Sequence, residues 1–179
     1  MTNETDTRRG IRPALLIIDV QNRYMPIIPE RERGTAFFFI NLLIDLFRNQ
    51  AFPIIRIYHQ NKEKGPWPDT EEFEYPDSLK IKPEDIRLIK SYSDSFNKTE
   101  LDRLLKEKGC NTVFLCGFSA VGCVLATKIG AQNNDYKAFI VKDAIMSHNS
   151  DHTRNVEVMF DAISYDAVEL ILENCNDRS

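Results

Sequence analysis

The sequence is short of most features that announce a function outright. Only four of its 179 residues are cysteine (Cys110, Cys116, Cys123 and Cys175), and no two form a Cys-x-x-Cys pair. That density excludes a disulfide scaffold, so free thiols in a reducing compartment are expected. Three histidines occur (His59, His148 and His152), none at zinc-ligand spacing from the cysteines, which argues against a structural zinc site. Positive charge is not in surplus: 23 Lys and Arg stand against 27 Asp and Glu, a formal net charge of -4. Nucleic acid and anionic membrane surfaces are held by the opposite balance, so neither is an expected partner. No apolar run approaches the roughly 20 residues of a bilayer span. The first ten residues are polar and charged, without the apolar stretch of a signal peptide. The expectations are a loose tail over 1–10, a single domain over the whole chain, and a cytoplasmic location.

What is present is an alternation of strands and helices. Ala14-Leu15-Leu16-Ile17-Ile18 is continuously apolar, as suits a strand covered on both faces. Residues 35–51 read as a long helix with Phe37, Ile40, Leu43, Ile44 and Phe47 on one side. Phe38, Phe39, Leu42 and Leu46 widen that surface beyond one face, so the helix is either deeply buried or packed on a second subunit, and a homo-oligomer is expected. Strands are predicted over 54–58, 86–90, 112–116, 137–141 and 167–172. Further helices are predicted over 99–108 (capped by Thr99 and ended by Gly109), 123–134 and 151–163. Between 60 and 85 lies a charged excursion with Pro66, Pro68, Pro76 and Pro83, read as surface and as a source of binding residues. The fold class predicted is α/β: a three-layer α/β/α, Rossmann-like parallel sheet of five to six strands with helices on both faces. In such sheets ligands bind beyond the carboxyl ends of the strands.

Three ionisable residues fall just after predicted strands: Asp19, Lys90 and Cys123. The stretch from Val113 to Val124 reads as a buried strand that breaks at Gly117, turns through small residues, and delivers Cys123 to a helix start. Unpaired N–H groups and the helix dipole there favour the thiolate. A cysteine beside Val124 and Leu125 also reads as a small buried hydrophobe. Converging at the strand ends, the three would supply a nucleophile, a proton acceptor and a cation, the parts needed for thiolate attack on a carbonyl.

Asp19-Val20-Gln21-Asn22-Arg23-Tyr24 resembles the D-x-Q-N-D-F opening of the isochorismatase-like cysteine hydrolases. Lys90, followed by Phe96 and Thr99-Glu100-Leu101, resembles that family's K…F..T.L segment. Gly117-Phe118-Ser119-Ala120-Val121-Gly122-Cys123-Val124 resembles its G-[hydrophobic]-x-T-x-x-C-V turn. Ala126-Thr127 and Val141-Lys142-Asp143-Ala144 fit the helix and strand that follow, so the resemblance covers about residues 12–172. It implies a Cys-Asp-Lys triad in which Cys123 attacks, Asp19 is general base then acid, and Lys90 balances charge. It also implies an oxyanion hole from backbone N–H groups near Ser119 and Cys123, a cis peptide at Phe118–Ser119, no cofactor, and a homo-oligomer.

The departures are Ala120 in place of threonine, Arg23 in place of an acid, and Tyr24 in place of phenylalanine. Arg23 reads either as a partner for a substrate carboxylate or as a surface charge. Nicotinamidases of this superfamily hold a metal through Asp-x-His after the second strand; here Tyr58-His59-Gln60-Asn61 stands there, which argues against a metal and against nicotinamide. Candidates for contact with a small-molecule substrate are Gln21, Tyr24, His59 and Trp67. His148 and His152 are expected at the crevice rim without a catalytic role. The leading expectation is a cysteine hydrolase of a small amide, ureido or related C–N bond. The alternatives are a vinyl-ether hydrolase of the isochorismatase type using Asp19, whose members generally carry glycine at the position of Cys123, and a non-catalytic oligomeric binding protein.

Overall fold

The computed structural model describes residues 10–176, so the expected tail lies outside the described residues except for Gly10. Five parallel strands, β1 (Pro13–Ile18), β2 (Ile54–His59), β3 (Ile86–Lys90), β4 (Thr112–Phe118) and β5 (Lys137–Met146), pair in the order β3-β2-β1-β4-β5. The helices are α1 (Glu30–Asn49), α2 (Leu101–Glu107), α3 (Leu125–Asn133), α4 (Ser150–Met159) and α5 (Tyr165–Asn176).

Side chains alternate across a strand, and β1 uses both faces. Leu15 and Ile17 join the core of α1 (Ala36, Ile40, Leu43, Ile44, Phe47) and α5 (Val168, Leu172). Ala14, Leu16 and Ile18 join the opposite core with Leu101 and Leu105 of α2, Ala131 of α3 and Val156 of α4. Three layers follow from this two-sided burial. The chain winds from β1 through β2 to β3 on one side, then returns to β4 and β5 on the other. The sheet therefore reverses direction between β1 and β4, and a crevice opens beyond their carboxyl ends.

Several predicted elements differ from those observed. The predicted last strand, 167–172, is part of α5. Val168 and Leu172, four residues apart, are its buried face, and an apolar run this short carries no decisive period. That leaves five strands among the described residues. α1 begins at Glu30, after Pro29, because Gly34 is an exposed helical glycine with open space around it rather than a breaker. β5 continues to Met146 through a positive φ of 63° at Asp143, and α4 stops at Met159, leaving Ile163 to bridge Val141. The proline-rich excursion is not wholly surface: Phe73, Tyr75 and Leu79 are buried, and Phe73 stacks on Tyr58 at 5.1 Å. The Tyr75 hydroxyl lies 2.7 Å from the carbonyls of both Ile17 and Ile57, tying β1 to β2 near their carboxyl ends. Phe38 stays 60% exposed on α1.

Gly117 pairs with Ile18 where β1 and β4 end, at a φ of 115°. A Cβ there would lie 2.2 Å from the Ile18 carbonyl oxygen, so backbone approaches backbone too closely for any other residue. Gly117→Ala is expected to cost about 3 kcal/mol or more, combining a steric clash with a disallowed φ. Urea unfolding would show it as a lower midpoint at unchanged slope; an unchanged midpoint would contradict it.

Candidate active site

Asp19, Lys90 and Cys123, predicted from three separate strand ends, are brought together. Asp19 leaves β1 at a φ of 51°, a left-handed turn that aspartate tolerates, with its N–H held by the Ile57 carbonyl at 2.8 Å. Lys90 is the last residue of β3, two strands away, and its side chain is fully buried. Its ammonium donates to Asp19 Oδ2 at 2.7 Å and to the Tyr92 carbonyl at 3.1 Å, and lies 3.4 Å from His59 Nδ1. Asp19 Oδ1 is buried and meets no N–H or O–H donor among the described residues, while the Cys123 thiol is a hydrogen-bond neighbour of the Asp19 carboxylate. A carboxylate oxygen of Asp19, a ring nitrogen of His59 and the Cys123 sulfur lie within 4.8 Å of one another.

The electrostatics correct one expectation. Burial and the neighbouring Asp19 push the Cys123 thiol up to about 12, and Lys90, which pulls the other way, does not offset them. Regular helix begins at Leu125, two residues after Cys123, and the wide turn before it is broken at Gly122 (φ -117°, ψ -105°). Burial also raises Asp19 above the usual carboxylate range, against the pull of Lys90. His59 is lowered by burial, with Lys90 adding to the effect and Asp19 opposing it. Burial and the charges of Asp19 and Cys123 raise the Tyr24 hydroxyl to about 12.

The nucleophile turn is anchored from a distance. The Phe118–Ser119 peptide is cis. The Ser119 carbonyl accepts from Gly122 N–H at 2.9 Å and Val124 N–H at 3.1 Å, and its hydroxyl lies 3.3 Å from that of Ser147. Ser147 N–H donates to Glu32 at 2.8 Å, and the same carboxylate accepts from the hydroxyls of Ser150 and Thr153. Sequence reasoning missed Glu32 and Ser147. Their partnership spans 115 residues and leaves no local signal.

Of the substrate candidates, Tyr24 stacks on Phe118 at 5.4 Å and lines a cavity of about 520 Å³ with Asn22, Arg23, Pro26, Glu71 and Glu72. Gln21 bridges the His59 backbone: its Oε1 accepts from His59 N–H at 2.7 Å and its Nε2 donates to the His59 carbonyl at 3.2 Å. It positions the His59 backbone. Trp67 is half exposed, with its indole N–H turned to the Lys62 carbonyl at 3.4 Å and no contact to the cluster. Arg23 pairs with Glu72 at 3.1 Å. The rings of His148 and His152 pack against each other at 5.2 Å, apart from the cluster. Asp19, His59 and Cys123 are the metal-capable grouping found among the described residues. They do not fit a divalent ion, because the Lys90 ammonium already sits against two of them.

The sequence model of the isochorismatase domain matches residues 13–165. An uncharacterised isochorismatase family protein of Bacillus subtilis, YddQ, is 30% identical over 140 residues, covering 73% of this chain and 76% of that protein. A maleamate amidohydrolase of Pseudomonas putida is 32% identical over 73 residues, 40% of this chain and 34% of that one. Among solved structures, an isochorismatase-like hydrolase from Alkaliphilus metalliredigens superposes with a TM-score of 0.81 at 20% identity, covering 92% of this chain and 98% of that one.

With the thiol held up to about 12, alkylation of Cys123 in the unliganded protein should climb with pH past the ordinary thiol value of about 8.5 without levelling. Asp19→Asn should move the curve to lower pH and Lys90→Ala to higher. Site-resolved mass spectrometry after iodoacetamide pulses reads this out, and labelling that is already maximal below neutral pH would refute it.

Proposed function

Because the chain belongs to the isochorismatase family, a family of hydrolases, we propose that it is a cysteine hydrolase cleaving a small amide, ureido or related C–N bond through a thioester at Cys123. The observation that carries this reading is the convergence of Asp19, Lys90 and Cys123 from three strand ends onto one buried cluster. The partial match to a maleamate amidohydrolase adds a relative that acts on an amide.

The chemistry runs from a neutral thiol. As the sulfur forms its bond to the substrate carbonyl carbon, the thiol proton passes to Asp19, and negative charge moves to the carbonyl oxygen. Backbone N–H groups of the turn, at Ser119 and Cys123, would receive that oxyanion, a contribution of about 3 kcal/mol for a single well-placed donor. Collapse breaks the C–N bond, and Asp19 returns the proton to the departing nitrogen. Water then attacks the thioester with Asp19 again the base, which releases the acid and restores the thiol. A carboxyl raised by burial suits both directions of transfer, because its proton affinity lies closer to neutrality than that of an exposed aspartate. Lys90, 2.7 Å from Oδ2, keeps Asp19 oriented.

The raised Asp19 carboxyl also fits an acid for vinyl-ether cleavage, and the two readings separate on mutation. On a panel of small primary amides including maleamate, Cys123→Ser, Cys123→Ala and Asp19→Asn should each lose about 10³-fold or more in kcat/KM, measured by ammonia release. Acid-quenched wild type should carry the acyl mass on Cys123. If Cys123→Ser retains turnover of isochorismate while Asp19→Asn does not, the vinyl-ether reading replaces this one. A wild type inert toward both classes sinks the enzymatic proposal.

A further inference from the structure

His59 is the polar side chain of the cluster that the proposed chemistry leaves without a task. Its place is fixed, since Gln21 holds its N–H and its carbonyl together. Its Nδ1 lies 3.4 Å from the Lys90 ammonium, which has donors only. Nδ1 is therefore the acceptor of that pair, and the ring proton sits on Nε2. Burial, the largest influence, opposes a second proton against the pull of Asp19, with Lys90 adding to burial, so the ring's proton affinity lies below that of a free imidazole. Nε2 has no hydrogen-bond partner among the described residues and is not sealed from solvent. It is an N–H donor without a recipient, on a half-buried ring beside Cys123 and Asp19.

The charges around it decide what that donor fits. Lys90 is matched by Asp19 at 2.7 Å, and Arg23, on the cavity that Tyr24 lines, is matched by Glu72 at 3.1 Å. Glu71 and Glu72 line the cavity beside Tyr24. A carboxylate entering here would shed water without meeting an unpaired cation, a costly exchange. A neutral carbonyl needs one donor, and one is present.

We propose that His59, fixed as its Nε2–H tautomer by Lys90, is the specificity-determining donor of this site, and that it selects uncharged substrates: small amides or ureides with a second neutral carbonyl, in preference to those with a carboxylate. The choice of substrate class rests on the cysteine-hydrolase reading; the tautomer does not.

The test has two arms. In protein labelled with ¹⁵N-histidine, assigned with His59→Gln, long-range proton–nitrogen spectra near neutral pH should show His59 protonated at Nε2 and bare at Nδ1. In kinetics, succinamide should exceed its half-acid succinamate in kcat/KM by about tenfold, the worth of one hydrogen bond without a competing charge penalty. His59→Leu should raise KM for succinamide about tenfold with a smaller change in kcat. His59→Gln should restore most of that loss, because its amide both accepts from Lys90 and donates to the substrate. A proton on Nδ1, a cationic ring, a preference for succinamate, or a His59→Leu variant with unchanged KM would each overturn the proposal. Should wild type hydrolyse neither compound, the cysteine-hydrolase reading is judged separately, on the wider amide panel. The decision then passes to binding by Cys123→Ala: a shift of the His59 Nε2–H resonance with succinamide and not with succinamate supports the proposal, and no shift with either refutes it.

Discussion

An ammonium and a carboxylate 2.7 Å apart, with side chains 0% and 2% exposed, survive in a protein interior only as partners, and much else in this molecule is arranged around that pairing. Removing either charge strands the other at a cost of about 3–5 kcal/mol. The pair also fixes geometry. Lys90 stands opposite His59 at the end of the β2–β3 ladder, and Asp19 follows the β1 residue paired with Ile57. A slip of one residue in the β2–β3 ladder would turn Lys90 to the exposed face that Arg87 and Ile89 occupy and leave Asp19 buried without its partner. Sheet register and site assembly are thus a single constraint. The Tyr75 hydroxyl, bonded to carbonyls of both β1 and β2, reinforces it from the excursion.

Around the matched pair, the neighbouring titratable groups are held neutral. Burial and the Asp19 charge keep the Cys123 and Tyr24 hydrogens in place, and burial keeps His59 unprotonated. In the proposed chemistry this makes nucleophile and base interdependent. The sulfur loses its proton only as Asp19 takes it up, so charge passes through the cluster to the substrate oxygen instead of accumulating beforehand. Such a centre is quiet toward adventitious electrophiles and responds to a carbonyl whose developing charge the turn can receive.

Continuous apolar runs marked β1, β2 and β4, and the rule that ligands meet the carboxyl ends of parallel strands was enough to pick out Asp19, Lys90 and Cys123. What was illegible depended on distance along the chain. Tyr75 reaches Ile17 across 58 residues, and Glu32 reaches Ser147 across 115; nothing beside either residue signals the contact. The upward push on the thiol was illegible for the same reason. A local pattern suggested a helix start, whereas burial and Asp19, both set by the tertiary fold, decide the direction. α5 was misread because Val168-Glu169-Leu170-Ile171-Leu172 alternates too briefly to separate a period of two from one of 3.6.

The departures from the family pattern fall on both faces of the sheet, Tyr24 against the core of α1 and Ala120 in the core opposite, and each is met by a compensating contact. Ala120 is fully buried in the core beneath the turn, where a hydroxyl would need a partner; the turn is instead held through Ser119, Ser147 and Glu32. Arg23, replacing an acid, is paired with Glu72, while Asn22 and Arg23 N–H groups donate to the carbonyls of Glu74 and Glu72 at 2.9 Å. Those bonds bring the proline-rich excursion against Tyr24, whose ring stacks on Phe118. None of these changes touches the Asp19–Lys90 pair. The two changes on the cavity wall, Arg23 and Tyr24, leave the buried ion pair in place, the pattern expected where a site is kept and the choice of ligand is altered.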